Sequence, residues 1–169
     1  RITRITAVAM EPRAALASYD AGTERFRLVH GAQSAHRQQA PMAAILGVKP
    51  DQLQLVVADT GGGFGMKNAP YAEYMLSLIA ARRTGRTIRW VATRLESFMA
   101  DAQARDQVAD AALALDADGN FIGLRVKTVA GLGAYMGPMS GHPPTMNVGS
   151  LSGVYRTPAI HVSVTGVHT

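Results

Sequence analysis

The sequence has 169 residues, 47% hydrophobic and 17% charged, with a mean hydropathy of +0.04, a composition that fits a folded globular chain and excludes a disordered one. No apolar run approaches the roughly 18 residues needed to cross a bilayer, and the Arg1 and Arg4 start lacks the apolar core of a signal peptide. Without cysteine the chain itself holds no disulfide, iron–sulfur ligand, CxxC couple or thiol nucleophile, and its net charge of +5 points to an acidic partner.

In chain order, residues 16–19 and 25–30 flank the turn-rich Asp20-Ala21-Gly22-Thr23 and predict a hairpin. Ser34 is an N-cap for a helix through Leu46, closed by Gly47, with Met42, Ile45 and Leu46 inward; Pro41 either kinks it or marks a later start near Ala40. The apolar run 53–58 predicts a buried strand, and a glycine-rich segment follows at 61–65. Residues 70–83 place Ala72, Met75, Leu76, Ile79 and Ala80 on one helical face, with Arg82 and Arg83 in the last turn and Gly85 beyond. A strand at 87–92 and a short helix at 94–100 come next. Residues 108–115 and 121–129 form a long hairpin around a glycine turn. The stretch 131–152 is a long Gly/Pro/Met-rich loop or one carrying a short helix, and the alternating Ile160, Val162 and Val164 form a last strand. This order predicts an α+β fold: a mixed sheet with two main helices packed on one face, plus a long added β-hairpin. Residues 1–169 read as a single domain, and the missing initiator Met suggests a piece of a larger protein.

Chemistry concentrates in Asp59-Thr60-Gly61-Gly62-Gly63-Phe64-Gly65-Met66-Lys67-Asn68, between a strand and a helix. The Walker A pattern fails at Met66 and Asn68, and a GxGxxG pattern beginning at Gly61 fails at Met66. Two readings stand at this point: a flexible strand-to-helix turn, or a loop whose backbone amides, with Phe64 among the glycines, face something large or negatively charged. The five histidines show no HExxH and no close pairing, which argues against a protein-ligated zinc. Glu73 fits a structural contact better than a general base. The cluster Arg82, Arg83, Arg86 and Arg89 leaves a basic nucleic-acid- or phosphate-binding module as the alternative, although aromatics are only 6% and offer no stacking platform.

Residues 61–67 resemble the GGGFGxK segment of the molybdopterin-binding large subunit of the molybdenum hydroxylases, the family of xanthine dehydrogenases, aldehyde oxidases and aerobic carbon monoxide dehydrogenases. Met10-Glu11-Pro12-Arg13 is similar to the family's MEPR strand, Gly31-Ala32-Gln33 to its G-x-Q turn and residues 80–86 to its second-helix ending. Thr93-Arg94-Leu95-Glu96 resembles its R-x-E element, Ala104-Arg105-Asp106 a later arginine site and residues 153–158 its GxYRxP stretch. The resemblance implies an oxidoreductase that hydroxylates an aldehyde or related substrate, or oxidises CO, with oxygen from water. Its cofactor would be a molybdenum–molybdopterin group, in the cytosine dinucleotide form. Gln33 would be catalytic and face the metal, donating its amide to the apical oxygen, and the backbone at Phe64 would also contact the metal's oxygen ligands. Gly62, Gly63, Gly65, Met66 and Lys67 would hold the cofactor with them, while Arg105 would orient substrate.

Purine-oxidising members carry Glu at the position of Asn68, a substrate-facing place, so the resemblance disfavours a purine and favours aldehyde-oxidising or CO-dehydrogenase-like chemistry. The family's glutamate base and its arginine–glycine loop fall beyond Thr169, so the fragment alone is expected to be inactive. Implied partners are the remainder of the large subunit, iron–sulfur and flavin (FAD) domains or subunits, and a small-molecule substrate, in the cytoplasm or alternatively the periplasm. No membrane span and no nucleic acid are expected.

Overall fold

The computed structural model describes residues 1–137 and 139–169, so position 138 of the expected 131–152 loop lies outside the described residues. The chain divides into two compact units, one of Thr6–Ala102 and one joining Arg1–Ile5 to Gln103–Thr169. Strands and helices are numbered in chain order, and β1 (Ile2–Thr6) runs in the sheet of the second unit.

In the 6–102 unit, β2 (Ala14–Asp20) and β3 (Arg25–His30) make the predicted hairpin, with Asp20 opposite Arg25 and the Asp20 carboxylate accepting the Gly22 N–H at 2.9 Å. The chain then passes through α1 (Ala35–Leu46) and a 3-10 turn to β4 (Leu53–Val56), which lies parallel to β3. After the glycine loop come α2 (Ala72–Thr84), β5 (Ile88–Val91) antiparallel to β2, and α3 (Arg94–Ala100). The sheet order is β4-β3-β2-β5. Alternation sends Ala15, Ala17, Phe26 and Leu28 to one face, where α1 adds Met42, Ala43 and Leu46 and α2 adds Tyr74, Met75, Leu78 and Ala81. The two expected helices thus share one face of the sheet.

Helix α1 is capped as read: the Ser34 hydroxyl accepts from the Arg37 N–H, and Gly47 closes the helix with φ 69°. It runs unbroken through Pro41, which removes only the hydrogen bond to the Arg37 carbonyl at an exposed position. Three residues expected on the inner faces turn outward, Ile45 at 59% and Leu76 at 64% exposure, together with the exposed Ala72. The reason is helical phase. The buried stripe of α1 runs Gln38, Met42, Leu46, and that of α2 runs Tyr74, Ser77 or Leu78, Ala81; polar Gln38 and Ser77 hold places that hydropathy assigns to apolar side chains.

Arg13, just ahead of β2, has a fully buried side chain. Its guanidinium donates two hydrogen bonds to Glu73 on α2, at 2.9 and 3.0 Å, and its Nε–H donates to Asp101 just past α3. It lies 3.7 Å from the Tyr71 ring centroid and 5.2 Å from that of Trp90. Glu73 is therefore a structural contact, held below the usual carboxylate range chiefly by the Arg13 hydrogen bonds. Removing the cation leaves Asp101, 5% exposed, without its partner. Arg13→Met is expected to cost about 3–5 kcal/mol of unfolding free energy, with Arg13→Lys in between because an ammonium cannot make the two-pronged contact. Urea unfolding followed by Trp90 emission measures both.

In the second unit, β6 (Gln103–Leu115) and β7 (Phe121–Gly131) form the long hairpin, whose turn is closed by the Asp116 carboxylate accepting the Asp118 and Asn120 N–H groups. The hairpin does not extend the first sheet. It is the middle of a second one, ordered β1-β6-β7-β8, in which β8 (Ile160–Val167) lies parallel to β7. The described part of 131–152 contains the short α4 (His142–Thr145) and a 3-10 turn at Val148–Ser150. Arg105 and Asp106 adopt left-handed backbone, φ 75° and 57°, just before β6 begins to pair with β7, and Asp106 accepts from Arg4 at 3.2 Å. No helix among the described residues is long and apolar enough to cross a membrane.

Candidate functional site

Because β3 and β4 are parallel and in register from Phe26↔Leu53 to Val29↔Val56, their C-terminal ends leave the sheet side by side. The Gly31–Gln33 turn follows β3 and the glycine loop follows β4, so two segments far apart in sequence meet at one edge, the usual location of ligand sites on parallel strands. The Gln33 N–H donates to the Lys67 carbonyl at 3.3 Å.

The loop arches over Gln33. Gly62, Phe64 and Gly65 take positive φ, 96°, 53° and 89°, which bends the backbone sharply enough for the Gly65 N–H to reach Gln33 Oε1 at 2.8 Å. At Gly63 the arch touches the glutamine: an added Cβ would stand 2.5 Å from Gln33 Cδ. This contact fixes the polarity of Gln33. Its carbonyl oxygen is occupied by Gly65, so its NH2 group, with two donors, faces away from the arch. Among the described residues, the N–H groups of Gly63 and Phe64 take no protein acceptor. The Phe64 ring is 75% exposed beside them. Gln33, Gly63 and Phe64 thus carry amide N–H groups without a protein acceptor among the described residues, beside one exposed aromatic ring, a donor set suited to an acceptor-rich ligand.

Behind the arch, Met66 and Lys67 are buried, and the Lys67 ammonium, 1% exposed as a residue, donates to Glu11 Oε2 at 2.6 Å. The same oxygen accepts the Gly61 N–H at 2.9 Å. Burial opposes ionisation of Glu11, but the Lys67 hydrogen bond, the Gly61 N–H and the Lys67 charge outweigh it and hold the carboxyl below its ordinary value. Gln38 on α1, fully buried, donates to the Lys67 carbonyl at 2.9 Å and accepts from His30 Nε2 at 2.7 Å. His30 therefore carries its proton on Nε2, and burial, partly offset by Gln38, keeps it neutral by pushing its pKa down.

The structure thus brings together Gln33, Gly62, Gly63, Phe64, Gly65, Met66 and Lys67. Asn68 ends the 3-10 turn that follows the arch, half-buried. Arg105 belongs to the second unit, exposed on its left-handed bend. Sequence reasoning gave no role to Gln38 or Glu11. The available signals were a glutamine at the i, i+4, i+8 stripe of α1 and a lysine closing the glycine-rich run 61–67, which holds no other charge and so needs a counter-charge from elsewhere once the lysine is buried. The Met10–Arg13 segment is not a strand but an irregular link ahead of β2, pinned by Arg94, whose guanidinium donates to the Ala9 and Met10 carbonyls at 2.6 and 3.0 Å. The Thr93–Glu96 element is the capping box of α3. No group of three or more potential metal-ligating His, Asp or Glu side chains occurs among the described residues. Arg82 lies over the Phe26 ring, 5.4 Å from its centroid.

Two outcomes follow from this geometry. Gly63→Ala forces the arch and Gln33 apart, with an expected cost of about 1–3 kcal/mol and loss of the Gly65–Gln33 hydrogen bond, visible in a crystal structure of the variant. Because Glu11 is depressed, its contacts stabilise the fold at every pH above its unfolded value, about 4.3, and that contribution disappears as pH falls through the lower folded value. Hydrogen exchange of residues 61–67, corrected for intrinsic rates, should stay protected down to that unfolded value and lose protection only below it.

Over residues 1–169 the chain matches the family model described as the molybdopterin cofactor-binding domain. It is 35% identical to the carbon monoxide dehydrogenase large chain of Hydrogenophaga pseudoflava over 81% of this chain and 17% of that protein. It is 31% identical to the nicotine 6-hydroxylase large subunit of Paenarthrobacter nicotinovorans over 98% of this chain and 21% of that protein. Among solved structures, quinoline 2-oxidoreductase from Pseudomonas putida 86 matches with a TM-score of 0.89 at 30% identity, covering 99% of this chain and 22% of that one. The chain spans about a fifth of the length of these relatives. The alternative of a nucleic-acid-binding module finds no support among them.

Proposed function

Since the chain belongs to the molybdopterin cofactor-binding domain family, we propose that it forms one wall of the molybdenum-cofactor site in the large subunit of an oxidoreductase. The reaction is hydroxylation of an aldehyde or related substrate, or oxidation of CO, with oxygen taken from water; the nicotine and quinoline named for two relatives add aromatic N-heterocycles to the substrate range. When bound, the molybdenum–pterin group supplies the two-electron oxidation.

The observation that carries this reading is the polarity of Gln33. Its carbonyl accepts from Gly65, which leaves its NH2, with the N–H groups of Gly63 and Phe64, as amide donors without a protein acceptor among the described residues. A donor set that is wholly neutral and amide-based fits a group that brings its own metal ligands and offers oxygen acceptors. In this role Gln33 and the Phe64 backbone would donate to oxygen acceptors of the cofactor, and Gly62, Gly63, Gly65 and Met66 would shape the backbone that holds it. Lys67 anchors the end of the arch, and its ammonium, being buried against Glu11, supports the loop without reaching the ligand. Asn68 and Arg105 are assigned to the substrate side. The cofactor is assigned the cytosine dinucleotide form. The remainder of the large subunit, iron–sulfur and flavin subunits or domains are the partners, and the cytoplasm is the compartment.

In the full-length subunit assembled with its partners, Gln33→Ala should lower kcat by at least about tenfold while molybdenum content falls by less than about twofold, because the metal is not bound through this side chain. Steady-state kinetics alongside metal analysis measures both. Unchanged turnover removes Gln33 from the mechanism.

A further inference from the structure

We propose that Glu11 is a positioning residue for the cofactor: one carboxylate oxygen joins the first residue of the glycine loop to its last and thereby fixes the N–H donors between them. This rests on the cofactor reading above. Glu11 Oε2 accepts from the Gly61 N–H at 2.9 Å and from Lys67 Nζ at 2.6 Å, while the Glu11 N–H donates to the Gly61 carbonyl at 3.1 Å. The two ends of the arch are therefore held by a single atom.

That atom is hemmed in from a third side, since a Cβ at Gly31 would stand 2.9 Å from Oε2 and 3.4 Å from Lys67 Nζ. The turn carrying Gln33, the loop carrying Phe64 and the 9–13 link thus converge on the Glu11 carboxylate. The link itself does not yield. Arg94 grips the carbonyls of Ala9 and Met10, and Arg13, two residues past Glu11, is locked into the core. At the other end, the Lys67 carbonyl takes the Gln33 N–H and the Gln38 amide, so a shift of Lys67 moves the Gln33 backbone with it. Replacing the carboxylate by a neutral amide keeps an acceptor for Gly61 but leaves a buried ammonium without its counter-charge, which draws Lys67 outward and opens the arch. Glu11 thus acts on the donors through the loop, without touching the ligand itself.

The test compares E11Q, E11D, K67M and the E11Q/K67M double variant with wild type, each in the full-length subunit purified with its partners. The readouts are molybdenum and pterin content, thermal unfolding and hydrogen exchange of residues 61–67. In E11Q, loop exchange should accelerate and cofactor content fall, each by about tenfold or more, with exchange in α2 unchanged. The double variant should be no worse than the worse single one, because both remove the same contact. E11D keeps the charge but draws the oxygen back by about 1.5 Å; it should remain folded, with exchange in α2 like wild type, and still lose loop protection, which also covers the case in which E11Q fails to fold. Wild-type loop exchange and cofactor content in E11Q, full rescue by E11D, or additive losses in the double variant overturn the role of Glu11 alone. A wild-type protein free of both molybdenum and pterin overturns the cofactor reading and this role with it.

Discussion

The guanidinium of Arg13 has no exposed surface, and a cation there is tolerable only because Glu73 and Asp101 receive its N–H groups while Tyr71 covers one face. An unpaired buried charge would cost several kcal/mol, so the partners cannot move independently. Glu73 sits in the first turn of α2, and Asp101 follows α3. One side chain therefore ties the link ahead of β2 to two helices, and the aromatic shelf of Tyr71, Tyr74 and Trp90 closes around it. Tyr74 pays for its place with a buried hydroxyl, whose pKa burial pushes up.

From that fixed point the rest of the site is reached in short steps. Two residues before Arg13, Glu11 meets both ends of the glycine loop, and two residues before that Ala9 packs beneath Gly62, with its Cβ 3.4 Å from where a Gly62 side chain would begin. The loop is thus backed by a segment hydrogen-bonded at Ala9, Met10, Glu11 and Arg13, while Phe64 and Gln33 are exposed. This is the arrangement preorganised donors require: the left-handed backbone at Phe64 lies between residues held by other parts of the fold, Gly61 by Glu11 and Gly65 by Gln33.

Much of this was legible in the sequence, where the signal is local. Capping residues Ser34 and Gly47, the Asp20–Thr23 turn and the glycine turn after Leu115 each act within a few residues, and the elements they bound formed as read. The parallel pairing of β3 with β4 is set by a crossover through α1, and β1 finds β6 about a hundred residues away, so neither leaves a local pattern. The phases of α1 and α2 were misread at Ile45 and Leu76 because buried Gln38 and Ser77 are polar: Gln38 is satisfied across the fold by His30 and the Lys67 carbonyl, and Ser77 by the Glu73 carbonyl one turn back in its own helix. At the site, the loop stood out by its glycines and its place between strand and helix, and Gln33 through a resemblance, but the hydrogen bond that occupies the Gln33 carbonyl comes from Gly65, 32 positions away.

The two buried charge sets also separate the chain's electrostatics into compartments. Arg13 with Glu73 and Asp101, and Lys67 with Glu11, are shielded wholly or in large part from bulk ions, whereas Arg25, Arg27, Arg82, Arg83, Arg86 and Arg89 lie exposed. Salt at physiological strength screens over about 8 Å in water, so it reaches the exposed arginines far more than the paired interior. The excess positive charge of the surface is consequently free to vary, in solubility and in encounters with other molecules, without retuning the field behind the glycine loop.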